Sequence, residues 1–287
     1  MEQYIFLFVL AFIWILIASI CDLKKREVPN WINFSLPVFA LGYRAVYSVF
    51  VSSYDFILIG VIGYLAFIVF GYLLYYGRVF AGGDAKLMMG LGAVLPFGMS
   101  FWTNFSVFFT FMLLFFIVGA AYGLLYSFVL TIFNFSKFKS EFKKQYIKNK
   151  KFIIGSFLGV VFLVAALMTG FAVLLYLGVV VVLLPLLYIY GKSLEEVSMV
   201  KNVSPEDLTE GDWLYEDVKV KGKVIKANWD GLEKEDIEML KKAKKNVLVK
   251  YGIPFVPVFF FAFVIYVYLF YTDFSIIDFF LRLKMGV

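Results

Sequence analysis

Two aspartates stand where apolar runs meet polar sequence. Asp22 follows the uncharged stretch 4–20 and opens Asp22-Leu-Lys-Lys-Arg26-Glu-Val-Pro29-Asn30-Trp31. Asp84 lies in Gly82-Gly83-Asp84-Ala85-Lys86, just before fifty uncharged residues from Leu87 to Ser136. Carboxylates beside membrane-length apolar segments are costly and mark function more often than packing. Two at similar depth in a helical bundle can face each other. Such a pair does acid–base chemistry on water: one carboxylate, ionised, takes a proton, while the other, protonated, donates one. Competing chemistries are few. The chain has no His and a single cysteine, Cys21, which excludes Ser-His-Asp and Cys-His catalysis, His-ligated zinc and haem, an intrachain disulfide and a four-thiolate metal site.

Taken singly, neither aspartate decides the matter. Asp84, after two glycines and before an apolar segment, also fits a helix N-cap. Asp22 falls at the C-terminal end of a helix, where negative charge is disfavoured; it also fits a solvated boundary residue neutralised by Lys24, Lys25 and Arg26.

The elements that must hold these residues are membrane spans. In 287 residues, 62% are hydrophobic and 17% charged, with 36 Phe, and mean hydropathy is +0.87. Soluble domains average roughly 45–50% apolar and about 25% charged, so one water-soluble core cannot hide this chain. The formal charge of +6 follows from lysines flanking spans rather than from a nucleic-acid surface. The first span, 4–20, has its basic cluster after the apolar run, the reverse of a cleaved signal peptide, so its N-terminus is expected outside. A second span is expected over 31–52, with Arg44 snorkelling toward the outer end, and a third over 55–77. The charge-free run from Leu87 is too long for one helix; Pro96, Gly98, Thr103 and Asn104 divide it into spans near 85–97 and 103–133. Seven lysines and one Glu in 137–151 predict a cytoplasmic loop. The 39 uncharged residues 152–190 predict a hairpin turning near Thr169 and Gly170, and a last span covers 253–272. The fold class is thus an all-α polytopic membrane protein of about eight transmembrane helices, a six-helix core plus an extra hairpin. The tail 274–287 is expected along the outer interface.

Residues 191–252 differ from the rest, with 12 Lys against 13 Asp plus Glu. Val218–Ala227 alternates apolar and basic residues as a strand does. The stretch 233–246, acidic first and basic last, reads as a short helix matching its dipole. This predicts a small cytoplasmic α/β insert before the last helix. Its near-neutral charge gives no nucleic-acid signal.

With both motifs in view, the sequence resembles the type IV prepilin peptidases, and within them the archaeal preflagellin (archaellin) peptidases, intramembrane aspartyl proteases of the GxGD type. Gly211-Asp212-Trp213, Gly231-Leu232 and Gly252-Ile-Pro-Phe-Val-Pro257 are similar to the archaeal branch, whereas 134–190 resembles no segment of it. The resemblance implies Asp22 and Asp84 as the catalytic pair, with Gly82, Gly83, Lys86, Arg26, Pro29 and Asn30 as supporting motif. Lys86 is expected to snorkel outward. One position departs: a strict GxGD has Gly where this chain has Ala81, which would be strained if the backbone there needed positive φ, though Gly82 could take that conformation.

The implied substrate is an archaellin or type IV pilin-like precursor, cleaved between a short basic leader and an apolar helix near the cytoplasmic face. Glu27 is one candidate for the leader's basic residues. The run Glu206, Asp207, Glu210, Asp212, Glu216 and Asp217 is another, and it reads equally as a solvated loop face. Bacterial relatives often carry a four-cysteine zinc segment for N-methylation; with one Cys here, peptidase activity is expected without methylation, metal or cofactor. Other classes remain open from residues alone. A transporter would place polar groups deep in its spans, and a scaffold would use both aspartates as helix-boundary residues. A presenilin-type protease would pair a Tyr-Asp motif at its first aspartate with a Pro-Ala-Leu element; here Cys21 precedes Asp22, and no Pro-Ala-Leu occurs.

Overall fold

The structure, a computed structural model, describes residues 2–220 and 222–272; the tail 274–287 lies outside the described residues. Helices run α1 Ile5–Lys25, α2 Asn30–Phe50, α3 Asp55–Tyr76, α4 Gly82–Leu91, α5 Phe101–Phe133, α6 Phe135–Lys148, α7 Lys150–Thr169, α8 Ala172–Leu194, α9 Lys234–Ala243 and α10 Val256–Tyr271. The strands are β1 Val200–Val203, β2 Trp213–Leu214, β3 Val218–Val220, β4 Lys223–Ile225 and β5 Val247–Lys250. Among the described residues, five helical stretches are long and apolar enough to cross a membrane: Glu2–Lys25, Asp55–Tyr76, Phe101–Phe133, Lys150–Thr169 and Ala172–Met199. The chain is a polytopic membrane protein, mostly helical, with a small sheet region. Of the other apolar segments, α2 is interrupted by Pro37 and Arg44, and α4 and α10 are short.

The chain divides into two compact units, Met1–Gly123 with the residues from Pro254, and Leu124–Ile253. In the first, α1 packs on α2 and α10, and α4 on α2 and α3. The buried face of α1, from Leu7, Ala11 and Ile15 through Ala18 to Asp22, follows the three-to-four spacing of a helix with one inward stripe. Phe6, Val9, Ile13 and Ile20 face outward, as apolar residues can where the solvent is lipid. α1 ends at Arg26, whose left-handed conformation (φ 59°) turns its N–H back to the Asp22 carbonyl at 2.8 Å. Pro29, extended at φ −56° and ψ 135°, then starts α2.

The expected span 85–97 takes another form. α4 starts at Gly82 and stops at Leu91; at 1.5 Å per residue it is about 15 Å long, half the thickness of a bilayer's hydrocarbon core. From Gly92 to Phe97 the chain is buried but not α-helical. Irregular backbone is tolerated at such depth only where protein groups satisfy it, and Arg44 does so. Its Nε donates to the Ala93 carbonyl (2.9 Å), Nη1 to Phe56 (3.0 Å), and Nη2 to Val94 (3.4 Å) and Leu95 (2.9 Å). The guanidinium also lies 4.4 Å from the centroid of the Phe56 ring. The snorkelling expected of Arg44 is therefore wrong: the residue is fully buried because the broken helix leaves carbonyls that only an inward-pointing donor can reach. Gly60 makes room for it, since a Cβ there would collide with the Arg44 side chain.

In the second unit, α7 and α8 form a hairpin turning at Gly170 (φ 70°). Gly159 and Gly178 bring the two backbones together, and a Cβ at either would lie 2.9 Å from the other's carbonyl oxygen. The lysine-rich 137–151 expected as a loop is largely helix: α6 occupies 135–148, bounded by bends at Asn134 and Asn149. Beyond α8, β1, β5 and β2 form an antiparallel sheet in that order, and β3 and β4 a hairpin. The single strand expected over Val218–Ala227 is thus two strands around Gly222 (φ 86°). α9 adds Ile237 and Leu240 to a small core with Val203, Leu214, Val247 and Val249. Glu195 ties this subdomain to the end of α8 by accepting from Lys192 and Lys250, each at 3.1 Å. The Tyr215 hydroxyl donates to Glu196, a bond to a carboxylate that pushes the phenol up to about 12.

Candidate active site

Asp22 sits in the last turn of α1, 7% exposed, at the end of its own helix that disfavours negative charge. Another helix compensates. The backbone N–H of Val256, the first residue of α10, donates to Asp22 Oδ2 at 2.9 Å. The first N–H groups of a helix lack intrahelical partners and carry its positive end, so the carboxylate caps α10 rather than α1. Arg26 lies within electrostatic reach as well. The sequence gives no residue-type sign of a backbone donor at 256; the start of α10 was nonetheless marked by Pro254 and Pro257.

Asp84 is the third residue of α4, not its N-cap. The cap position is Ala81, and no side chain caps the helix. The Asp84 carboxylate, in the first turn where the dipole favours it, faces the backbone N–H of Ala81 and is within electrostatic reach of Asp22. Ala81 is extended, φ −69° and ψ 162°, so the missing glycine costs no strain and Gly82 need not take a left-handed conformation. Neither Gly82 nor Gly83 is crowded. A Cβ on Gly83 would meet Val28 at 3.6 Å, an ordinary contact, and one on Gly82 only Tyr75 at 3.8 Å. The start of α4 therefore lies against the link between α1 and α2.

The supporting residues divide. Lys86 does not simply reach outward: its Nζ donates to Asn30 Oδ1 at 2.9 Å and lies 5.6 Å from the Phe34 ring centroid. That contact pins α4 to the first turn of α2, which Pro29 starts by accepting from the Ile32 N–H at 3.0 Å. Glu27 is exposed in the α1–α2 link. The acidic run 206–217 belongs to the other unit, where several members hold local structure. Asp207 accepts from Ser204, Asp212 from the Thr209 N–H, Asp217 from the Ala227 N–H, and Glu210 pairs with Lys234 at 3.5 Å. Among the described residues no three His, Cys, Asp or Glu gather as a metal site would require.

One further group went unread in the sequence. Asn33, one turn beyond Asn30, is 2% exposed, and neither atom of its amide has a hydrogen-bond partner. Pro37, four residues on, also lacks the N–H that would otherwise bond the Asn33 carbonyl. Its sequence signal is an Asn four residues before a Pro inside an apolar span.

The segment holding both carboxylates has a recognisable counterpart. Residues 9–128 match the type IV leader peptidase family. The chain is 35% identical over 89 residues to the preflagellin peptidase of Methanocaldococcus jannaschii, covering 31% of this chain and 38% of that one. Against the preflagellin peptidase of Methanococcus maripaludis it is 28% identical over 98 residues, 34% of this chain and 42% of that one. With that of Methanococcus voltae it shares 33% over 82 residues, 29% and 35% of the two chains. The match thus spans about two fifths of these relatives' length. No solved structure matches. The resemblance drawn from the two motifs stands on this family match and these relatives.

Proposed function

We propose that this protein is a membrane-embedded aspartyl endopeptidase. It removes the short basic leader from archaellin or type IV pilin-like precursors at the cytoplasmic membrane face, with Asp22 and Asp84 as the reacting pair. The observation that carries this reading is the pair itself. Two carboxylates from sequence positions 62 residues apart lie within electrostatic reach at the ends of α1 and α4, inside the segment matched by the leader peptidase family.

The chemistry follows from that placement. The Val256 N–H donates to Oδ2 of Asp22, and the Phe255 N–H also faces this carboxylate. A water between the carboxylates loses its proton to the ionised member as it attacks the scissile carbonyl, and the protonated member donates to the carbonyl oxygen. The proton taken from water then passes to the peptide nitrogen as the C–N bond breaks. The adduct's hydroxyl returns a proton to the other carboxylate, releasing a carboxylic acid and an amine. The two titrate as a unit, so the acid and base roles belong to the pair. Basic residues at Lys24, Lys25, Arg26, Arg78 and Lys86 support a cytoplasmic position for this end of the bundle, and Glu27 is available to a basic leader.

The test is cleavage of a precursor with a basic leader and an apolar helix, in membranes holding wild type, Asp22→Asn or Asp84→Asn. Both variants should accumulate normally and cleave at less than about one hundredth of the wild-type rate, the scale on which acid–base groups contribute. Wild-type cleavage by either would reduce that aspartate to a helix-boundary residue and sink the mechanism.

A further inference from the structure

The lysine-rich helix α6 takes no part in the proposed chemistry, yet its placement is specific. Three contacts fix its depth against α8. Before α6, the Thr131 hydroxyl bonds that of Tyr190 at 2.9 Å. In its first turn, the Phe138 ring lies 5.4 Å from that of Tyr190. Just after α6, the Phe152 ring stacks on Tyr188 at 5.8 Å. Tyr188 and Tyr190 are two residues apart, about 3 Å along the helix axis. The chain therefore enters and leaves α6 at one level of a membrane-crossing helix. A fourteen-residue helix with both ends at one depth runs along the membrane surface rather than away from it.

Its side chains suit that position. Phe138 and Gln145 are buried toward the protein. By helical spacing, Lys137, Lys144 and Lys148 fall along one flank and Lys139 and Lys143 along the other. These five, with Lys150 and Lys151, are all exposed, and Lys144 pairs with Glu141 at 3.3 Å. Phe135 and Tyr146, 62% and 42% exposed, project beside the Lys139–Lys143 flank. Aromatic residues at headgroup level, flanked by lysines whose stems reach back toward the lipid, make an interfacial helix. A row of cations held in the plane of the bilayer calls for anionic headgroups.

We propose that α6 is an in-plane docking surface for anionic phospholipid headgroups, a role independent of peptide cleavage. Lysines at such a surface each raise lipid affinity roughly fivefold, an effect that salt screens.

Full-length protein in neutral detergent is incubated with phosphatidylglycerol or phosphatidylcholine, and co-eluting lipid is measured by mass spectrometry. Wild type should retain phosphatidylglycerol preferentially at low salt and lose the preference at about 0.5 M salt. Replacing Lys137, Lys139, Lys143, Lys148 and Lys151 by Gln should reduce retention at least about tenfold, while Arg at the same positions preserves it. Equal retention of the two lipids by wild type, or retention that ignores salt, overturns the proposal with no variant needed. So does a Gln variant that keeps the preference. Lysine-dependent binding of an RNA oligomer without binding of phosphatidylglycerol would reassign the surface to nucleic acid and also overturn it.

Discussion

Restoring glycine at position 81 should change little. Ala81 already has the extended backbone that the start of α4 needs, so glycine relieves no strain there. Its advantage as a helix cap, about 1 kcal/mol, acts on stability rather than on the reacting groups. Ala81→Gly should cleave precursor within about twofold of wild type, read from initial rates at equal protein level. A gain of about tenfold or more would mean that the alanine impedes catalysis. At this scale the sequence was informative where charge interrupts apolar runs, and Asp22, Asp84 and Lys86 stand out that way, whereas Asn30, uncharged, was named only through the resemblance. It was silent on Val256, because a backbone N–H has no residue signature and its contact with Asp22 joins positions 234 residues apart. Arg44 was visible but misjudged. A lone charge near the end of a span ordinarily snorkels, and only the irregular chain at 92–97 supplies the carbonyls that turn it inward.

Among the elements, α4 depends most on its surroundings. Pro96 and Gly98 showed that the apolar run must break, but not that the helix stops at Leu91. The stop follows from Arg44 satisfying the carbonyls beyond it, a contact between segments some fifty residues apart. Arg44→Gln would leave several of these buried carbonyls without donors, each costing about 1–3 kcal/mol. Thermal unfolding of the detergent-purified variant should show a loss of at least about 3 kcal/mol, on the scale of breaking a buried charged network. Arg44→Lys keeps the charge but loses the planar fork, and its stability should fall between the two. A variant as stable as wild type would mean that water or another group serves those carbonyls. The hairpin of α7 and α8 was more legible, since its turn lies at a glycine between two uncharged runs. α6 was not: its lysines advertised a loop, and its helical form rests on the apolar contact of Phe138 with Tyr190, which composition does not reveal.

For the whole molecule, the unit carrying both aspartates is discontinuous in sequence. Residues 124–253 are inserted between its larger part and α10, so the partner of Asp22 is the beginning of the last described helix. A chain stopped after Ile253 keeps both aspartates and the whole matched segment 9–128, yet lacks the Val256 donor. It should insert but not cleave, and co-expressing residues 254–287 as a separate span should restore part of the activity. Membrane extracts assayed for both chains and for cleaved precursor decide this; full activity from the shortened chain alone would remove α10 from the site.

The same discontinuity sets a timetable. A ribosome adding 5–20 residues per second needs about 10–50 s to travel from Asp22 to Val256. Throughout that interval α1 waits in the bilayer with its carboxylate uncapped by α10. Asp22 thus gains its α10 donor only after nearly every other described residue has been made, so under the proposed mechanism a half-synthesised chain would still hold an incomplete pair.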